Sequence, residues 1–311
     1  MKKRIITGIV LAFILIPLVF VPELRRLLQI VIFLFSVVAA LEMINMCEKT
    51  KKMNIVVKCL VVLGTILLYM GIVNDDPNSK FSVISEFMHN INFKIGVITT
   101  LTLTCALIFA CQIFVKDFDA SDVGRCLMII FYVSLSFASL TVLLFNGMRF
   151  IIYLFIVCVF TDIFAYVFGM NFGKHKMCPT ISPKKSWEGA IGGTIVGTLA
   201  GSLFAIFYID FGHYFVADSE PIKFFYSIFD YEAIHPAVMV ICIIILTLLV
   251  SISAQIGDLI CSKFKRTYEI KDFSQIFPGH GGVLDRFDSV LFASIVFLCF
   301  ITIFRVLFPV M

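Results

Sequence analysis

Apolar residues run along this chain in blocks of about twenty, separated by short polar breaks. An α-helix needs about 20 such residues to cross the ~30 Å hydrocarbon layer of a bilayer. Stretches of that kind fall near 5–22, 27–46, 54–73, 95–115, 126–146, 149–170, 188–209, 236–258 and 289–309. The pattern therefore predicts an all-α polytopic integral membrane protein with about nine transmembrane helices. The spans at 126–146 and 149–170 leave room only for a tight turn at Asn146–Arg149. The longest polar connections, 74–94, 210–235 and 259–288, are too short to hold a soluble domain. Residues 1–150 supply about five helices and carry no chemical motif. Residues 151–311 carry two polar loops of unusual composition, 171–187 and 259–288.

Composition agrees with the pattern. Of 311 residues, 60% are hydrophobic and 15% charged, against about half and a quarter in soluble domains. The net charge of +4 is small, and no nucleic-acid partner is expected. The ten cysteines are scattered singly with no Cys-x-x-Cys pair. They read as small buried hydrophobes, not as a zinc site or a disulfide framework. The first residues, MKKRIITGIVLAFILIPLVF, have the basic head and apolar core of a signal peptide. They lack a clear small-x-small cleavage site and are read as an uncleaved first span.

Basic residues orient the spans. With the N-terminus inside and the spans alternating, Lys2, Lys3 and Arg4, the lysines of 49–58, Lys116, Arg125, the lysines of 174–185 and the cations of 263–286 share one side. Only Arg25, Arg26, Lys80, Lys94, Arg149 and Lys223 fall on the other, with Arg305 near its edge. Loops 171–187 and 259–288 are thus expected on the cytoplasmic face of the cell membrane, where nucleotides are.

The second loop concentrates the polar chemistry. Asp285, Asp288 and Ser289 lie at helical spacings of three and four after the turn Pro278-Gly279-His280-Gly281-Gly282, so in a helix they share a face. Paired carboxylates suit a hard cation such as magnesium, which normally arrives with phosphate. Helix N-capping is the plainer explanation for either aspartate alone. Span eight ends in a polar stripe, Ser251, Gln255, Asp258 and Ser262. Such a stripe faces protein or a watery cavity, or makes interhelical hydrogen bonds. Asp258 is read as a third ligand beside Asp285 and Asp288. Asp162 and Tyr166 are four apart in span six. An intramembrane carboxylate marks function by default, and Asp162 is read as the floor of the same cavity, with a proton relay, a cation site and a buried ion pair left open. The cations are Lys184 and Lys185 in Ser182-Pro183-Lys184-Lys185-Ser186, then Lys265, Arg266, Lys271 and Arg286. Topology and anionic lipid account for loose lysines. They do not account for a glycine-rich turn feeding a helix N-terminus, which favours phosphate. His280 in that turn could donate to a phosphate or be structural.

The run Ser262-x-Phe264-Lys265-Arg266, then Lys271-Asp272-x-Ser274, then Phe277-Pro278-x-His280-Gly281-Gly282-Val283-x-Asp285-Arg286-Phe287-Asp288 resembles the signature of the phosphatidate cytidylyltransferase (CDP-diacylglycerol synthase) family. The runs around Asp162 and around Ser182–Gly189 are similar to that family too, so the resemblance covers roughly residues 158–290. It implies transfer of CMP from CTP to phosphatidate, giving CDP-diacylglycerol and pyrophosphate, in phospholipid biosynthesis. It implies dependence on Mg²⁺, with K⁺ beside it in some members, and it matches Asp258 and Asp285 to metal-centre aspartates with Asp288 in the same motif. Lys265 and Arg266 join these three as the expected catalytic set. Ser182, Lys184, Lys185, Ser262, Lys271, His280, Gly281, Gly282, Arg286 and Asp162 form the expected substrate-binding set. The partners implied are CTP, phosphatidate and membrane lipid, with a homodimer left open. The alternatives are a related CTP-dependent polyisoprenol kinase, which would release CDP, and a membrane transporter.

Overall fold

The computed structural model describes residues 17–18, 21, 24–77, 82–90, 96–208, 224–225, 234–277, 279 and 281–308. The expected span at 5–22 lies outside the described residues except for 17, 18 and 21, and His280 lies outside them too. The other eight expected spans are all present as helices long and apolar enough to cross a membrane. They are α1 (Arg25–Cys47), α2 (Ile55–Asp75), α4 (Val97–Phe114), α5 (Ala120–Asn146), α6 (Met148–Phe172), α7 (Trp187–Ile206), α8 (Pro236–Thr267) and α9 (Leu284–Leu307). The short α3 (Val83–Asn90) interrupts the 74–94 connection. The expected turn after Asn146 is present, since α6 begins at Met148. Large apolar side chains such as Ile98, Ile113, Phe114, Ile195 and Val306 stay exposed. On a helix that spans a membrane, such positions face lipid. The protein is an all-α, multi-pass membrane protein.

The polar loops are more ordered than expected. Residues 171–187 contain an antiparallel hairpin of β1 (Lys176–Cys178) and β2 (Ser182–Ser186). Ser186 then caps α7, its hydroxyl accepting from the Gly189 N–H at 3.2 Å. Nor does 259–288 start as a loop: α8 continues to Thr267 and α9 begins at Leu284. Hydropathy marks where the lipid ends, not where backbone hydrogen bonding ends. Adding a residue to an existing helix is easy, and Lys265 and Arg266 in the last turn of α8 complement its macrodipole. A Schellman cap closes the helix: Ile270 N–H donates to the Lys265 carbonyl at 2.9 Å and Glu269 N–H to the Arg266 carbonyl at 3.3 Å, with Glu269 at φ 54°.

The chain forms two compact units: Met1–Phe145 with Phe264–Phe287, and Asn146–Lys263 with Asp288–Met311. Buried polar pairs brace the first. The Tyr69 hydroxyl lies 2.6 Å from the Thr141 hydroxyl, and the Ser134 hydroxyl donates to the Thr65 carbonyl at 3.1 Å. In the second unit α7 lies close against α6. Gly189, Gly193, Gly197 and Gly201 recur every four residues, and all four are buried. A Cβ at Gly193 would sit 2.5 Å from the Thr161 carbonyl oxygen, and one at Gly189 would sit 2.6 Å from that of Ala165. Small residues let helix backbones approach, which is how helices associate without a hydrophobic gradient in lipid. Gly193→Leu is therefore expected to separate α6 from α7 and to lower the thermal unfolding midpoint in detergent. Gly193→Ala should do the same more weakly, costing about 1–3 kcal/mol.

Candidate active site

In the second unit the polar stripe of α8 faces protein. The Ser251 hydroxyl meets that of Thr161 at 2.7 Å. The Gln255 amide donates to the Ala190 carbonyl at 3.1 Å and to the Thr194 hydroxyl at 2.7 Å. The upper part of the stripe thus makes interhelical hydrogen bonds. The lower part is ionic. Lys185, on β2, places its ammonium 2.6 Å from Asp258 Oδ2 and also donates to the Gln255 carbonyl at 3.4 Å. Ser262, one turn further, donates to Asp258 Oδ1 at 3.4 Å. Both members of the pair keep about a quarter of their side chains exposed, 24% for Lys185 and 29% for Asp258. Gly257 lets α9 come close, since a Cβ there would lie 2.5 Å from the Asp288 carbonyl oxygen. Ser289 links two further carboxylates. Its hydroxyl donates to Asp162 Oδ2 at 2.9 Å and its N–H to Asp288 Oδ1 at 2.9 Å. Tyr166 is exposed.

In the first unit Asp285 organises the signature loop. Its Oδ1 accepts from the Lys265 ammonium at 2.8 Å. Its Oδ2 accepts from the Phe273 N–H at 2.8 Å and the Gly282 N–H at 3.0 Å. This pair is more deeply buried, with side-chain exposures of 17% for Lys265 and 4% for Asp285. Lys265 also sits over the Phe273 ring, 5.5 Å from its centroid. The loop turns through Gly281 at φ 84°, where a Cβ would meet Asp285 Oδ2 at 2.7 Å. On the other side of the loop stands Glu42 of α1, 2% exposed. Its Oε1 accepts from the Ser274 hydroxyl at 2.6 Å and the Val283 N–H at 2.9 Å, and its Oε2 from the Leu284 N–H at 3.0 Å.

A model of the cytidylyltransferase family matches residues 2–304. The chain belongs to that family. A phosphatidate cytidylyltransferase of Staphylococcus haemolyticus is 30% identical over 292 residues, which is 94% of this chain and 95% of that protein. Those of Staphylococcus saprophyticus and Staphylococcus aureus strain COL are 35% identical over 175 and 176 residues, 56% of this chain and 57% of each relative.

The remaining expected site residues of this cytidylyltransferase-family chain are placed as follows. Ser182 and Lys184 lie on β2, half-buried and exposed. Arg266 and Arg286 are exposed in the last turn of α8 and the first turn of α9. Lys271 is exposed and lines a cavity of about 640 Å³ with Asn45, Lys49, Phe273 and Ser274. All ten cysteines are free thiols; Cys47, Cys111, Cys126, Cys158 and Cys261 are buried, whereas Cys59 and Cys299 are exposed, against the expectation of buried hydrophobes. The motif-free N-terminal half nonetheless contributes Glu42, which the sequence reading passed over. The signal for it was present: a lone carboxylate in the apolar run VVAALEMINMC, which by the rule applied to Asp162 marks function.

Magnesium takes one or two carboxylates and fills its octahedron with water and substrate phosphate, whereas an all-protein cage would need more ligands. Among the described residues no group of three or more His, Cys, Asp or Glu side chains is disposed to hold an ion. Hard carboxylate oxygens are present, however, each held by a cation or hydroxyl: Asp258 by Lys185 and Ser262, and Asp285 by Lys265. A carboxylate offers about four lone-pair positions, and the three bonds to Asp285 leave room for one more. Taken each in its own unit, Asp258 and Asp285 offer the kind of hard oxygen that a magnesium ion completed by water and phosphate takes.

Proposed function

We propose that this chain is a phosphatidate cytidylyltransferase: it transfers CMP from CTP to phosphatidate, giving CDP-diacylglycerol and pyrophosphate at the cytoplasmic face of the cell membrane. The observation that carries the reading is the near end-to-end family match of a chain whose signature lysines and aspartates stand in contact, Lys185 with Asp258 and Lys265 with Asp285. In the reaction a phosphate oxygen of phosphatidate forms a bond to the α-phosphorus of CTP. The bond from that phosphorus to the bridging oxygen of the β-phosphate breaks, and pyrophosphate leaves with the electron pair. The nucleophile is already an oxyanion and needs no strong base. The obstacle is the approach of two anions, so positioning and charge neutralisation set the rate.

The residues have roles that fit this obstacle. Lys185 and Lys265 are held by their carboxylate partners, so each ammonium is oriented before a phosphate arrives. Arg266, Lys184, Lys271 and Arg286 add exposed positive charge, and Ser182 and Ser262 add hydroxyl donors. Gly281 and Gly282 are buried, and the Gly282 N–H is taken by Asp285, so the turn acts by holding Asp285, with His280 beside it in sequence. Asp258 and Asp285, supported by Asp288, are the proposed magnesium ligands, and K⁺ is a second candidate ion. Bound magnesium would neutralise phosphate charge and polarise the phosphoryl oxygens. Asp162, on α6, accepts from Ser289 and so fixes the second turn of α9.

The test uses purified protein, phosphatidate, Mg²⁺ and CTP labelled at the α-phosphorus. Label is expected in the lipid fraction, with pyrophosphate released in equal amount. Label retained in released CDP, with none in the lipid, would assign a lipid kinase instead.

A further inference from the structure

We propose that Glu42, in the motif-free N-terminal half, is a positioning residue for the signature loop. It sets the geometry of Asp285 through the backbone of residues 282–284. This inference rests on the proposed cytidylyltransferase reaction for its kinetic consequence, though not for its structural one.

Two carboxylates grip the same loop from opposite sides. Asp285 takes the N–H groups of Phe273 and Gly282. Glu42 takes the next groups along, the Ser274 hydroxyl and the N–H groups of Val283 and Leu284. The two arms of the loop, 273–274 and 282–284, are thereby tied together twice. The first N–H groups of a helix have no partner within it, and α9 begins at Leu284. Glu42 therefore caps α9 from a residue 242 positions away in sequence, with a negative charge at the positive end of the helix dipole. The approach is close: a Cβ at Gly282 would collide with Glu42 Oε1. With glycine at 282 the carboxylate can come this close without moving.

Both oxygens of Glu42 face donors, so a neutral amide cannot replace the carboxylate. Glu42→Gln must aim its NH₂ either at the Leu284 N–H or at the Val283 N–H. The Ser274 hydroxyl can rotate to accept; a backbone N–H cannot. Such a conflict leaves buried donors unsatisfied and loosens the turn that carries Asp285.

Two measurements on the full-length protein in detergent test this. In hydrogen exchange without metal or substrate, Glu42→Gln is expected to speed exchange at Gly282, Val283 and Leu284 by about tenfold or more, with α2 unchanged. In the CTP assay it is expected to lower kcat by about tenfold or more and leave the KM for phosphatidate within about twofold. Tyr69→Phe, which removes a buried hydroxyl bond in the same unit, is the control. It should lower the thermal midpoint without changing exchange at 282–284. Ser274→Ala removes one donor and keeps the carboxylate, so it should shift both readouts in the same direction by less, and it serves if Glu42→Gln does not fold. Unchanged exchange at 282–284 overturns the proposal, as does faster exchange spread equally over α2, or an unaltered kcat in an active enzyme. Wild-type protein that makes no lipid product defeats the reaction assignment instead, and the exchange experiment still decides the role of Glu42.

Discussion

Asp285→Asn is expected to reduce CMP transfer by a factor of about 10² or more and to lower the unfolding midpoint as well. Two physical effects combine. The carboxylate is 4% exposed and accepts three hydrogen bonds, one from an ammonium and two from backbone N–H groups. Asparagine has one acceptor oxygen, so its NH₂ must face either Lys265 or the two N–H groups. Lys265, 17% exposed, then loses the charge of Asp285. Removing one member of such a pair costs about 3–5 kcal/mol. The expected catalytic loss comes from the charge that aligns Lys265 and would attract the proposed metal, of the size found when an electrostatic group is removed from a reacting centre. Initial rates of labelled CTP incorporation, with thermal unfolding on the same preparation, check both. Near wild-type turnover would end the catalytic role of Asp285.

Asp258→Asn should separate the two effects. Its pair with Lys185 keeps 24% and 29% of the side chains exposed, and Lys185 retains the Gln255 carbonyl as an acceptor. Water can solvate what the substitution uncouples, so the stability cost should be only about 0–1 kcal/mol, as for accessible ion pairs. CMP transfer should nonetheless fall by about 10² or more, because the neutral amide would present no charge to a divalent ion. The expected pattern is thus an unchanged unfolding midpoint with lost activity, and a raised Mg²⁺ requirement in whatever activity remains. If Asp258→Asn also unfolds the protein, Asp258 is a structural partner of Lys185 and its assignment to the metal fails.

Hydropathy found the spans because it follows from solvation of each residue alone. Eight of the expected helices are present, with boundaries that moved most where water takes over from lipid, at the end of α8 and the starts of α5 and α9. Those ends moved because helical hydrogen bonding depends on neighbours along the chain, not on the hydropathy of one residue. The hairpin in 171–187 was hidden for a similar reason: its three- and five-residue strands exist only as a pair. The close approach of α7 to α6 was written in the four-residue recurrence of Gly189, Gly193, Gly197 and Gly201, a signal present in the sequence and not read.

The signature residues were legible as chemistry and not as contacts. Residue types and spacing pointed to Asp258, Asp285, Lys185 and Lys265, since carboxylates and ammonium groups crowded at a membrane surface have few uses. Which lysine meets which aspartate was decided by tertiary structure: Lys185 with Asp258 and Lys265 with Asp285. Partners 73 and 20 residues apart are chosen by how helices and hairpin fold back, which no local pattern encodes. Glu42 is the extreme case. The sequence by itself determined a multi-pass helical membrane protein with a phosphate-handling signature. Only the tertiary structure joined a carboxylate of α1 to the start of α9, because a buried charge is settled by whichever donors the fold brings to it.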